Sequence, residues 1–413
     1  MWRTGRCPSA SLTSVGQWRP DSDSIKQASI APHRLLSWRF WKDMTTSVRA
    51  AMVRNFSDGF ESTSVEIDRP RGREVLVETK ASGLCHSDLH FVHEDRGLPL
   101  PIVLGHELAG IVVEVGPEVN EVAVGDHVVG CSVPSCGACV ECYSGYRVNC
   151  LNQGVAARRP DETPRISRNG EPVTQFVGLS GFADHALVHE SQVVAVSKDV
   201  PFDRAALLGC GVVTGAGAVL RSAAVKPMET VVVLGAGGVG LNAVQASALV
   251  GARKVIVVDL NPAKLQLATK FGATHLVDPA DGDPVEQVNA LTGGLGADHV
   301  FEFTGAKQPL VQATAMVGRR GTTYVVGLQQ LGETLDFAVA PGIGGTINFE
   351  KGVRGVRMGS VNVKVDIPYY AELYAQGRFN LDDLVSNTIA LGDITAGYEA
   401  VKIGAVARNV ITF

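Results

Sequence analysis

Six cysteines and one histidine in this chain have the spacing of two zinc sites. Cys136, Cys139, Cys142 and Cys150 follow C-x2-C-x2-C-x7-C in a glycine-punctuated segment, so four thiolates can close on one ion as a structural tetrahedron. Cys85 in GLCHSDLH, His106 in GHELAG and Cys210 in GCGVVTG are far apart in sequence, and each reads as a glycine-flanked turn beside an apolar run. Two thiolates and one imidazole leave a fourth position open, which is the arrangement of a catalytic zinc. A pair of disulfides is the alternative for the compact cluster, but a chain of 413 residues can bury a large core without stapling. Singly, Cys85 and Cys210 read as small buried hydrophobes and His106 as a core histidine. The three together, beside a nucleotide motif, favour a catalytic site.

That motif is G-x-G-x-x-G, formed by Gly235, Gly237 and Gly240 with Gly238 in the same loop, directly after VVVL and at the start of a helical pattern. The first glycine allows the tight turn, the second lets backbone approach a pyrophosphate, and the third permits close helix packing. Free N–H groups and the helix dipole then favour an anion. Asp259 ends the next strand, KVIVVD, where a carboxylate accepts hydrogen bonds from the adenosine ribose and repels a 2′-phosphate, so NAD is expected over NADP. An ordinary strand-end N-cap is the alternative for Asp259.

Two kinds of element must position these residues. From Met44 onward SVEI, EVLVETKASG, AGIVVEV, DHVVGCSV and HALVHESQVVAV are short strands broken by Gly and Pro, as in an antiparallel barrel-like body. Leu151 to Val173 is polar and turn-rich and reads as a surface loop. Near Val231 the pattern changes to alternating strands and helices with continuous Val/Ile runs, the mark of a parallel sheet covered on both faces. The helical IPYYAELYAQGRF and the strand AVARNVITF should return to the first body. The expected organisation is a catalytic domain of residues 44–210 and 357–413 around a Rossmann domain of residues 211–356.

Residues 1–43 are rich in Arg, Ser and Trp without periodicity. They read as a disordered leader or an artefact preceding a start at Met44, with a mitochondrial-type presequence as the alternative weakened by Asp21 and Asp23. The net charge of −5 and the lack of a basic run interleaved with aromatics disfavour nucleic acid. VVVLGAGGVGLNAVQASALVG is too interrupted by glycine, Asn242 and Gln245 to read as a bilayer span. Cys7 and Cys131 have no evident pairing. Free thiols and zinc thiolates suit a reducing compartment, hence a cytoplasmic location.

With both zinc patterns, the glycine fingerprint and their order, the stretch from Met44 to Phe413 resembles the zinc-containing medium-chain alcohol dehydrogenases. The resemblance implies a partly open, GroES-like barrel beside a doubly wound Rossmann sheet. It implies two zinc ions per chain, with Cys85, His106 and Cys210 on the catalytic one and the four clustered cysteines on the other. Ser87 would hydrogen-bond the substrate oxygen, His90 would be the outer base of a proton relay, Asp88 would orient the zinc histidine and Glu107 would stand behind the metal. His86 and Arg408 would meet the pyrophosphate, and Lys264 the adenosine ribose. The implied reaction is reversible hydride transfer between a primary alcohol or aldehyde and NAD, by way of an alkoxide held on zinc, in a homodimer or homotetramer. Ser87 could instead be a helix N-cap ahead of Asp88 and Leu89. His93, His127, His185, His189, His275 and His299 lack such company and read as ordinary.

Three positions bear on substrate. Ser132 stands where alcohol-oxidising members of the family often have a bulky aromatic, so the pocket should be wide. Gly154 falls where glutathione-dependent formaldehyde dehydrogenases carry an arginine; a formaldehyde dehydrogenase using another small thiol is the alternative activity. Arg357 lies near a pocket-wall position, either solvated or facing the cleft, where it would suit a carboxylate or polar tail. A metal-stabilised nucleotide-binding protein without catalysis is the reading from another class, and the intact Ser87 and His90 disfavour it.

Overall fold

Strand Glu74–Gly83 is the spine of the first body, because it is buried along nearly its whole length and has neighbours along both edges. It pairs antiparallel with Glu107–Val115, with His185–His189 and with the C-terminal strand Arg408–Thr412. A computed structural model describes residues 45–56, 58–330, 332, 334, 349–402, 404 and 407–413. The readings made for residues 1–43, Cys7 among them, lie outside these. A second sheet runs Glu171–Pro172, Ile166–Arg168, Glu61–Ile67, Thr46–Val53, Ile102–Val103, Thr174–Gln175. The two sheets form a nearly closed, mainly antiparallel GroES-like barrel.

The second body is a six-stranded parallel sheet in the order His275–Val277, Lys254–Val258, Thr230–Leu234, Ala297–Glu302, Val317–Val325, Gly352–Gly355. Numbered along the chain this is 3-2-1-4-5-6, the order of doubly wound dinucleotide-binding sheets. In Thr230–Leu234, Val231 and Val233 pack into one core cluster and Val232 and Leu234 into another, as expected for alternate side chains of a strand buried on both faces.

Between the two bodies lies the helical segment Phe202–Ala223, 22 residues long and apolar enough to cross a membrane, with 83% of its most apolar window buried inside the fold. Its burial is that of a core helix. A methyl group on Gly209 would stand 2.0 Å from the Gly130 carbonyl oxygen, and one on Gly215 would stand 2.1 Å from that of Val239. The small residues thus let this helix touch barrel backbone on one side and the first Rossmann helix, Gly238–Leu249, on the other.

Two readings are corrected. Cys210 is not in a turn: it sits in a widened, π-type stretch, Leu208–Val212, inside this helix, where the extra residue per turn re-aims side chains. Residues 151–173 are not simply a surface loop. Ile166–Arg168 pairs with Glu61–Ile67, and the side chains of Arg158 and Arg165 are only 9% and 8% exposed. Arg165 Nε donates to Glu74 Oε1 at 2.7 Å and Arg158 Nε to the same oxygen at 2.8 Å, while Asp68 also pairs with Arg158 and, at 2.9 Å, with Arg71. Charges this deep are tolerated because they are paired and hydrogen-bonded.

Candidate active site

Three separate elements bring the dispersed donors together. Cys85 precedes the helix His86–His93, His106 immediately precedes the strand Glu107–Val115, and Cys210 comes from the buried helix. All are buried, and one donor atom from each lies within 4.8 Å of the others and of a Glu107 carboxylate oxygen. His106 Nδ1–H donates to Asp88 Oδ1 at 3.0 Å, an oxygen that also accepts Gly105 N–H at 3.2 Å. Asp88 Oδ2 accepts the Tyr398 hydroxyl at 3.0 Å. Fixing Nδ1 as the protonated nitrogen leaves Nε2 to bind a metal.

Electrostatics agree with a cation here. The hydrogen bond from Cys210, then the positive charge of Arg408, hold the Cys85 thiol well below its ordinary value despite burial. Burial pushes the Glu107 carboxyl up to about 7, with Arg408 pulling the other way. Both Glu107 oxygens are buried without a hydrogen bond, and Arg408 Nη2 stands 3.4 Å from Oε1. Two sulfurs, an imidazole and these unsatisfied oxygens fit zinc. The fourth position is therefore within reach of a buried carboxylate and is not simply open.

The sulfurs of Cys136, Cys139, Cys142 and Cys150 also lie within 4.8 Å of one another. Backbone N–H groups point at them: Cys136 N and Asn152 N to Cys150 Sγ at 3.2 and 3.4 Å, and Ala138 N to Cys136 Sγ at 3.5 Å. Backbone donors from Leu151 and Cys142 bring the Cys139 thiol down to about 6. N–H groups aimed at sulfur stabilise thiolate, so this set too fits zinc. Cys131 is different: burial pushes its thiol up to about 12, and it is a packed core residue.

Ser87 Oγ lies 3.6 Å from Cys85 Sγ, and no side chain caps the helix it sits in, so the capping alternative fails. His90, one turn later, is half-buried, and Arg96 Nη2 donates to its Nδ1 at 3.2 Å. Arg96 is itself 8% exposed and paired with Glu94 at 2.7 Å. Burial first, and Arg96 second, lower the proton affinity of His90.

At the glycine loop, Gly235 has φ +96° and a methyl group on Gly240 would stand 1.9 Å from its carbonyl oxygen. Asp259 is at the end of Lys254–Val258, and its two carboxylate oxygens accept Ala236 N–H at 2.7 Å and Asn261 N–H at 2.8 Å. It thus ties the glycine loop to the strand end; Asn261, not Asp259, caps the following helix. Lys264 is half-buried in that helix, and His86 is exposed at the start of its own. Arg408 runs from Gly238, where a methyl group would stand 2.8 Å from its Nε, to Glu107 and to Cys85 Sγ at 3.9 Å. One buried guanidinium joins the nucleotide loop to the metal cluster.

Beside this lies the cleft wall. Ser132 Oγ is 4.0 Å from Met358 Sδ, which Thr214 Oγ1 approaches at 3.7 Å, and Thr214 is one helical turn beyond Cys210. Met358, Gly359 and Ser360 all have positive φ, of 46°, 59° and 55°, a left-handed run costing about 1–2 kcal/mol for each non-glycine residue. Sequence reasoning missed Tyr398, Arg96 and Met358, whose partners lie on other elements or across a loop and leave no local pattern.

The chain matches two family models: the alcohol dehydrogenase GroES-like domain over residues 71–198 and the zinc-binding dehydrogenase over residues 238–376. It is 37% identical to the NDMA-dependent alcohol dehydrogenase of Amycolatopsis methanolica, over 88% of this chain and 98% of that protein. It is 34% identical to the S-(hydroxymethyl)glutathione dehydrogenase of Paracoccus denitrificans, over 88% and 99% of the two chains. Among solved structures, the benzyl alcohol dehydrogenase of Acinetobacter calcoaceticus superposes with a TM-score of 0.83 at 35% identity, covering 89% of this chain and 99% of that one.

Proposed function

The chain belongs to the zinc-containing alcohol dehydrogenases of the medium-chain dehydrogenase/reductase family, an oxidoreductase, and on that premise we propose reversible hydride transfer between a primary alcohol or aldehyde and NAD. The observation that carries the reading is the convergence of Cys85, His106 and Cys210, with Asp88 fixing the histidine tautomer. When bound there, zinc would act as a Lewis acid that lowers the pKa of an alcohol. The four-cysteine lobe would hold a second ion.

The residues of the chain supply the rest. Asp88 and Tyr398 keep His106 oriented. Ser87 Oγ hydrogen-bonds the substrate oxygen and takes up its proton, and His90 is the base from which that proton leaves at the surface. Arg408 and the Gly238 helix end supply positive charge for a pyrophosphate, with His86 beside them. Asp259 and Lys264 read the ribose, and the carboxylate is the ground for preferring NAD to NADP. The same proposal includes assembly as a homodimer or homotetramer, a cytoplasmic location, and division into residues 44–210 with 357–413 and residues 211–356. At Gly154 the space around a Cβ is open and no charged side chain stands there, which speaks against glutathione as a co-substrate and leaves a formaldehyde dehydrogenase using another small thiol as the alternative.

A panel of alcohols with NAD, followed by NADH absorbance, tests this. Ser132 lines a cavity of about 490 Å³, so medium-chain or aromatic primary alcohols should exceed ethanol in kcat/KM, each buried methylene adding about 0.8 kcal/mol. Ser132→Phe, which must also displace Met358, should shift the preference toward short chains. A wild-type optimum at ethanol, or an unchanged profile in the variant, would remove Ser132 as a determinant of size.

A further inference from the structure

Glu302 is a buried carboxylate that the proposed reaction does not use. It ends the strand Ala297–Glu302 and is fully buried. Its Oε1 accepts the N–H of Thr304 at 2.5 Å, that of Gly305 at 3.0 Å and the Thr304 hydroxyl, all donors that lie beyond the strand end. Its Oε2 has no hydrogen bond of good geometry, although the Gln329 side chain stands close enough to lower the proton affinity of the group. Burial raises that affinity, the donors on Oε1 oppose the rise, and no cation is among the groups that act on Glu302 most strongly. A buried carboxylate is costly unless a positive charge answers it.

Its place in the sheet says where that charge comes from. The order 3-2-1-4-5-6 reverses between strand 1, Thr230–Leu234, which carries the glycine loop, and strand 4, which ends in Glu302. A dinucleotide lies across the crevice at such a reversal. Asp259, after strand 2, marks the adenosine half, so strand 4 belongs to the nicotinamide half. Thr304 touches the glycine loop, since a methyl group on Gly235 would stand 3.0 Å from its Cγ2. On the other side the Glu302 carbonyl accepts Val326 N–H at 3.0 Å and Gly327 N–H at 2.9 Å. A methyl group on Gly327 would stand 2.2 Å from the Gly305 nitrogen and 3.0 Å from Glu302 Oε2. The carboxylate is therefore fixed where two glycine-bearing strand-end loops meet, on the rim of the crevice.

We propose that Glu302 makes the protein sensitive to the oxidation state of its cofactor: its carboxylate is the counter-charge of the cationic nicotinamide ring of NAD+ and favours that form over NADH. This rests on the alcohol dehydrogenase reading and adds to it a determinant of cofactor form. Once the ring has taken up the hydride of the alcohol it is neutral, and the carboxylate has lost its partner. Glu302 thus weakens the hold on NADH relative to NAD+.

The test is titration of the zinc-loaded full chain with NAD+ and with NADH, by calorimetry and by NADH fluorescence, with no substrate present. Glu302→Gln keeps the shape of the side chain and removes its charge. It should lower the ratio of NAD+ affinity to NADH affinity by about threefold or more, the size of a charge effect across a partly solvated gap. Glu302→Asp, which keeps the charge, should stay nearer the wild-type ratio even where its shorter reach weakens both forms. Should circular dichroism show Glu302→Gln unfolded, Gln329→Lys reads the same effect, because it sets a cation beside the intact carboxylate and should lower the ratio likewise. A ratio that does not fall in Glu302→Gln, or in Gln329→Lys where the first variant does not fold, would make Glu302 a clamp of the two loops only and overturns the inference. If neither form binds the wild type, the dehydrogenase reading itself has failed, and the inference with it.

Discussion

Burial first, and Arg96 second, set the pH range over which His90 can accept a proton. The Arg96 guanidinium donates to His90 Nδ1, Glu94 pairs with Arg96, and Cys85 and His86 are the other ionisable groups facing the ring from the same segment. On the helix Ile394–Lys402, which packs against this one, Glu399 and Lys402 pair with each other. A lowered proton affinity keeps His90 neutral into more acidic solution, and it accepts a proton at Nδ1 once Arg96 lets go of that nitrogen. Removing the cation in Arg96→Gln should raise that affinity, helped by the Glu94 carboxylate left behind. The acid limb of the kcat/KM profile for alcohol oxidation should then move to higher pH; a limb that stays in place would separate His90 from the relay. Asp259 has two duties, since its carboxylate already accepts from Ala236 and Asn261. Asp259→Gly should therefore relax the NAD over NADP preference by about tenfold or more and also raise KM for both cofactors by loosening the glycine loop. Unchanged selectivity would show that another group reads the ribose.

At the scale of elements, the buried cluster of Glu74, Asp68, Arg71, Arg158 and Arg165 fastens residues 158–166 to the spine strand. Arg158 and Arg165 hold the Glu74 carboxyl below its ordinary value, outweighing a burial effect in the other direction. The stability this contributes is present above the ordinary carboxylate range and is lost as pH falls through the lowered value. Glu74→Gln would leave two buried guanidiniums under-compensated, at a cost of about 3–5 kcal/mol, and should lower Tm clearly at neutral pH. An unaltered Tm would mean that water already compensates these charges. The strands EVLVETKASG and KVIVV and the glycine turn were legible because each follows a local rule of period or φ. The burial of Arg158 and Arg165 was not, since a polar, proline-rich segment looks the same whether its arginines meet water or a carboxylate 84 to 91 residues away. Nor was the helical setting of Cys210: glycines at Gly209, Gly211 and Gly215 suggest turns, and tertiary contact, not propensity, makes them helical.

Over the whole molecule, the buried helix Phe202–Ala223 places Cys210 where barrel and parallel sheet meet, and Arg408 returns from the last strand to join the metal cluster to the nucleotide loop. Cys85, His106, Asp88 and Glu107 were legible as types at separated positions; that Tyr398 completes the support of Asp88 from the far end of the chain was not. The two donor sets differ in chemistry: four thiolates close one site, whereas the other has three protein donors and a fourth position contested by Glu107. Their ions should therefore differ in lability. The most direct measurement is zinc content and alcohol oxidation followed together during timed chelation, with circular dichroism as the record of fold. The account predicts two zinc ions per chain at the outset, and loss of activity in step with the first while the fold persists. Full activity in a protein holding a single zinc, or activity that survives release of the labile ion, would contradict it.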